Sequence, residues 1–113
     1  YEVVHIHPRR GFSNRDLQAI GVQDKARMVE WQEWMLDALP NLQLLDYYDN
    51  AAKRSKPIKE YIQNKPVKDR KAFVEDNLLP NANGGLLDLI NFDQFYDWRK
   101  KILVKKLRPH FGL

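Results

Sequence analysis

His5, Asn41 and Asn50 are the residues whose types and order could carry chemistry in this sequence. His5 lies in the opening run Glu2-Val3-Val4-His5-Ile6-His7, which ends at Pro8. An imidazole, with an ordinary pKa near ~6.5, exchanges protons with water at neutral pH. Asn41 opens a second apolar run, Asn41-Leu42-Gln43-Leu44-Leu45, and Asn50 follows at the start of a helical turn. The oxygen of a side-chain amide is a ligand for hard cations such as Mg2+. Lys53, Arg54 and Lys56 come next, and side chains of that kind hold phosphates. Each position also has a plain structural reading. A lone strand histidine packs, an asparagine after Pro40 starts a turn, and Asn50 after Asp49 caps a helix.

The elements that must position these residues are short. Residues 2–7, with the β-branched Val3, Val4 and Ile6, read as a strand, on which His7 shares a face with His5, and residues 42–45 read as a second strand. Between them, Ser13 with Asp16 three residues on has the form of a capping box, opening a helix to about Ile20 with Gly21 as its stop. From Asp24 to about Leu39, Ala26, Met28, Val29, Trp31, Met35, Leu36 and Leu39 recur at helical spacing, with Glu30, Glu33 and Asp37 as a polar face. Pro40 ends that helix. After the second strand, Asp49 caps a turn of helix through Lys53, Ser55 and Pro57 open a helix toward Gln63, and Pro66 opens another. Residues 79–85 form a loop by composition. Asn91 starts a long C-terminal helix whose stripe is Phe92, Phe95, Trp98, Ile102, Leu103 and Leu107. The expected fold class is α+β and mostly helical: a short two-stranded antiparallel hairpin and a helix, embedded in further helices, as one domain over residues 1–113.

Composition narrows the function classes. With no cysteine, the chain has no disulfide framework, thiolate zinc site or Cys nucleophile. A hydrophobic fraction of 43% with 12% aromatics is too high for a disordered chain. No apolar run approaches the ~18 residues of a membrane span, and no signal-peptide pattern opens the sequence, so a cytoplasmic protein is expected. Gly84-Gly85 lacks the flanking strand, Lys and Ser/Thr of a phosphate loop. The net charge of +4 conceals a pattern. Lys53, Arg54, Lys56, Lys59, Lys65, Lys68, Arg70 and Lys71 face only Glu60 and Asp69, a net of +6, and the segment from Arg99 to Arg108 carries six bases and no acid. Such blocks attract phosphates at long range, or are simply solvated helix faces. The start at Tyr1 rather than Met implies a piece of a longer polypeptide.

The order of these residues, histidine on one strand, asparagine at the second and asparagine on the following helix, resembles the HNH-like (ββα-metal) nuclease domains at the C-terminus of GmrSD-type, modification-dependent restriction proteins and their relatives. The residues that carry the resemblance are Tyr1–Pro8, Asn41–Leu45, and Asn50 with Ser55, Lys56 and Pro57. The late helix from Phe92 to Leu107 is similar to the closing helix of these domains. The resemblance implies a bacterial restriction or defence endonuclease that hydrolyses DNA phosphodiesters, His5 being the base that deprotonates water. By the same pattern Asn41 braces the site and orients the histidine, and Asn50 offers an oxygen to Mg2+ or another divalent cation. Lys53, Arg54 and Lys56 contact the nucleic acid. The partners it implies are DNA and the rest of a longer chain, which in relatives includes a ParB-like nucleotide-hydrolysing domain.

One departure stands out. The residue before the histidine is usually acidic and ligates the metal, and here it is Val4. Glu2, two residues earlier on the same strand face, is the candidate replacement ligand, with Asp46 and Asp49 behind it. Three functions follow: an endonuclease, a degenerate HNH-like domain kept as a DNA-binding or interaction module, or a helical scaffold whose likeness to nucleases is coincidental.

Overall fold

The structure is a computed structural model that describes residues 1–111. Strand β1 (Glu2–His5) pairs antiparallel with β2 (Leu42–Leu45), placing Glu2 opposite Leu45, Val3 opposite Leu44, Val4 opposite Gln43 and His5 opposite Leu42. Between the strands lie α1 (Asn14–Ala19), α2 (Lys25–Val29), a π-helical turn over Glu30–Met35 and a 3-10 turn over Leu39–Asn41. After them come α3 (Tyr47–Lys53), α4 (Ile58–Asn64), α5 (Val67–Asp76), two 3-10 turns and the long α6 (Phe92–Leu107). The expected fold class is therefore the observed one: a mostly helical α+β chain built around a two-stranded hairpin.

Local chemistry accounts for most of the element ends. Ser13 accepts from the Asp16 N–H at 3.1 Å, the bond expected of the cap of α1. Gly21 stops that helix with φ +106°, a conformation open to glycine at no steric cost. Pro57 and Pro66 precede α4 and α5. The cap of α3 is Asp46, which accepts from Asp49 N–H at 2.7 Å; Asp49 lies inside the helix rather than at its start. The helix expected over residues 24–39 is shorter and uneven, passing from α-helix into the π turn and giving way to extended backbone at Ala38.

One hydrophobic core joins the insertion to the C-terminal helix. Ile6, Leu17, Val22, Trp31, Ile58, Ile62, Phe92 and Phe95 are wholly buried in it. The rings of Phe12, Trp31 and Phe92 meet edge to face with centroids 5.1–6.4 Å apart. Asp93 ties the same corner from α6, accepting from Trp31 Nε1 at 2.6 Å and from Arg27 Nε at 2.9 Å. Trp34 stays 73% exposed, outside the core. Among the described residues no helix is long and apolar enough to cross a membrane.

Candidate functional site

Successive strand residues point to opposite faces of a hairpin, and cross-strand partners share a face. Glu2, Val4, Gln43 and Leu45 therefore lie on one side, and Val3, His5, Leu42 and Leu44 on the other. On the first side Gln43 and Leu45 are buried, Val4 is half-buried and Glu2 is exposed, while Val3 and Leu44 on the second stand open to solvent.

The helix that follows the hairpin reaches β1 at two points. The Asn50 Nδ2 amide donates to a Glu2 carboxylate oxygen. Lys53, one turn further along α3, donates from Nζ to the His5 backbone carbonyl at 2.9 Å. Asn50 and Lys53 are three residues apart, so both side chains leave the same helix face.

Asn41 fixes the point where β1 leaves the ladder. Its backbone carbonyl accepts from the Ile6 N–H at 2.8 Å. Its side-chain Oδ1 accepts from the His7 N–H at 2.9 Å, while Nδ2 donates to His7 O at 3.0 Å and Leu36 O at 2.9 Å. The side chain is fully buried, and its amide is used on both sides. The Ile6–Asn41 bond continues the register of the hairpin by one rung, and beyond it the Asn41 side chain takes both the N–H and the C=O of His7, so residue 7 is bonded to a side chain and not to a strand. Arg99 holds the other side of the same turn from α6. Its guanidinium donates to the carbonyls of Leu39 at 3.1 Å, Pro40 at 3.1 Å, Leu42 at 2.6 Å and Asn77 at 3.3 Å.

The His5 ring turns away from α3. Its Nε2 lies 2.6 Å from Asp37 Oδ1, a residue that follows the π turn. Arg9 grips the same carboxylate, its Nη2 donating to both oxygens at 3.0 Å. The hydrogen bond from His5, aided by the Arg9 charge, holds the Asp37 carboxyl below its ordinary range. His7 has a different setting. It is buried edge-on against Phe92 and Phe95, at centroid distances of 5.5 and 4.8 Å, and its Nε2 has no partner. Burial first, and the charge of Lys53 second, push its pKa down to about 3, so it is neutral at physiological pH.

The residues singled out from sequence thus fall into two groups. Glu2 meets Asn50 between β1 and α3 and Asn41 binds the backbone of His7, whereas the His5 ring lies apart from them, with Asp37. The expected action of Asn41 on the histidine is exerted on the peptide groups of residues 6 and 7, not on the His5 ring. The contact of His5 is Asp37, which spacing alone left as part of a polar helix face. His7 does not share the face of His5, because the strand has already ended. Lys53 departs from its expected place. It is 1% exposed with its ammonium on a backbone carbonyl, not displayed for a phosphate, and burial lowers its pKa to about 8. Arg54 and Lys56 are exposed. Arg54 ends α3 at φ +46°, a strained value for a residue with a side chain. Asp46 and Asp49 are occupied elsewhere, Asp46 as a cap and Asp49 by Tyr61 Oη at 2.9 Å and Lys65 Nζ at 3.4 Å.

The Glu2 face of the hairpin offers oxygen ligands in a sparse set. Glu2 supplies a carboxylate and Asn50 an amide oxygen. Gln43, the partner of Val4 across the hairpin, is buried with both amide atoms unpartnered. A carboxylate and amide oxygens are ligands of the type that a hard cation takes, and Asn50 and Glu2 are the two that meet. The Lys53 ammonium beside Asn50 opposes tight binding of a second cation. Among the described residues no three His, Cys, Asp or Glu side chains gather as a metal cluster. Comparison with protein-family models, with curated proteins and with solved structures finds no match.

Proposed function

We propose that this chain is an HNH-like nuclease domain that hydrolyses DNA phosphodiesters, as part of a cytoplasmic bacterial restriction or defence protein. The observation that carries the reading is the lock between Asn41 and residues 6–7, followed by a helix whose Asn50 meets Glu2. His5 serves as general base from its part-exposed ring at the end of β1, on the strand face opposite Glu2, so the attacking water approaches past the strand end. Glu2 and Asn50 would hold a Mg2+-type ion, which when bound supplies positive charge to the phosphate and the leaving oxygen. Arg54 and Lys56 hold the DNA backbone from the end of α3. Plasmid nicking with Mg2+ or Mn2+ tests the reading: wild type nicks and His5→Ala does not. Equal background in both rejects it.

A second reading has its own support. Val4 in the ligand position and the buried ammonium of Lys53 favour a domain that keeps the nuclease fold and binds DNA without cutting it. Binding that weakens steeply with salt, with no nicking in either metal, selects this module over the enzyme.

A further inference from the structure

We infer that Asp37 is a positioning residue for His5, fixing the imidazole in the tautomer that carries its proton on Nε2 and leaves Nδ1 as the proton acceptor. The inference rests on the reading of His5 as a base, and it goes beyond that reading because Asp37 belongs to no part of the strand–strand–helix unit. It lies 32 positions along the chain from His5, in the helical insertion.

The tautomer follows from which groups can donate. Arg9 Nη2 gives hydrogen bonds to both Asp37 oxygens at 3.0 Å, which anchors the carboxylate. A carboxylate held below its ordinary pKa by His5 and Arg9 is ionised at neutral pH and can only accept. At 2.6 Å from Oδ1, the His5 Nε2 must therefore be the donor. A neutral imidazole that donates from Nε2 keeps its lone pair on Nδ1, and no hydrogen bond to Nδ1 forms among the described residues. The charged groups around His5 are Asp37, Arg9 and, through the backbone carbonyl, Lys53. A carboxylate on one ring nitrogen and a free lone pair on the other is the arrangement that lets an imidazole accept a proton and be stabilised once it has done so.

Two measurements on the full chain test the assignment. The first is long-range 15N–1H NMR of the histidine rings near neutral pH. The expected result is an Nε2-protonated His5 in wild type and in Arg9→Ala, and a mixture of tautomers in Asp37→Ala. An Nδ1-protonated His5 in wild type, or an unchanged ring signature in Asp37→Ala, overturns the inference. Asp37 is 63% exposed, so its replacement leaves the core intact. The second measurement is plasmid nicking against pH. Asp37→Ala is expected to lose about tenfold or more and to shift the limb of the profile set by the base; equal rates and an unshifted profile count against Asp37. A wild type that nicks nothing rejects the nuclease reading itself, while the NMR result still decides whether Asp37 sets the tautomer.

Discussion

The Asn41 side chain closes on both peptide groups of His7, accepting its N–H at 2.9 Å and donating to its C=O at 3.0 Å. This pair decides where β1 stops and where the ring of His7 goes. It also explains why an asparagine, with a donor and an acceptor on one planar group, serves here where a leucine of similar size would not.

Asn41→Ala is therefore expected to destabilise the chain by about 3–5 kcal/mol, because three buried hydrogen bonds lose their partner at once. Asn41→Asp is expected to be at least as damaging, since it turns an oxygen toward the carbonyls of His7 and Leu36. Denaturant titration of the three proteins checks both.

His7 makes the fold sensitive to acid. Its pKa falls from 6.5 to about 3 on folding, so between those values the unfolded chain binds a proton that the native chain does not. Stability contributed by this group is complete above pH 6.5 and declines as pH falls, by about 1.4 kcal/mol per unit until the folded pKa is reached. His7→Leu keeps the backbone bonds to Asn41 and removes this slope. The difference between wild type and variant, measured from pH 7 to pH 4, is expected to widen steadily in the variant's favour. A constant difference would show that His7 is not buried neutral.

Lys53 gives the opposite end of the pH scale a signature. Its folded pKa of about 8 lies below its ordinary 10.5, so the unfolded chain holds the extra proton between them. Wild type is expected to gain stability relative to Lys53→Met as pH rises from about 8 to 10, again by about 1.4 kcal/mol per unit. Below pH 8 the ammonium is charged in both states and the difference is flat.

Much of the hairpin was legible in the sequence, and the reason is local. The β-branched and apolar runs over residues 2–7 and 42–45 mark the two strands, Ser13 and Asp16 mark a cap, and Pro57 and Pro66 mark helix starts, but the faces of the hairpin do not follow from polarity, since Gln43 is buried and Leu44 is open to solvent. What escaped was set by partners far along the chain. The end of β1 depends on Asn41, the contact of His5 depends on Asp37, and neither is visible from residues 2–7. From sequence Lys53 reads as a phosphate-holding base of the +6 block, although its three-residue spacing from Asn50 puts both on one side of a helix. Arg99 was likewise counted into a basic tail, when its spacing from Phe92 and Phe95 marks the inner side of α6.

Arg99→Lys is the sharper test of that last residue. One guanidinium spans the carbonyls of Leu39, Pro40 and Leu42 with one nitrogen and reaches Asn77 with another. An ammonium is a point donor and cannot span the same set. Arg99→Lys is expected to lose about 1–3 kcal/mol of stability and Arg99→Ala more, with hydrogen exchange speeding first in the turn around Asn41.

On the proposed nuclease reading, an acid placed before His5 yields a gain-of-function prediction. Val4 shares a strand face with Glu2 and Gln43, next to the face of α3 that carries Asn50. Val4→Asp adds a carboxylate to a set that otherwise has one, and the added charge also offsets the Lys53 ammonium. Mn2+ affinity, measured by calorimetry, is expected to rise about tenfold or more over wild type. Adding Asn50→Ala to Val4→Asp is expected to remove most of that gain, because the amide oxygen leaves the same site. If Val4→Asp binds Mn2+ no better than wild type, the Glu2 face of the hairpin is no metal site, and Glu2 and Asn50 are structural partners of one another. If wild type already binds at micromolar concentration and Asn50→Ala loses it, the site is competent as it stands, with Glu2 as its carboxylate.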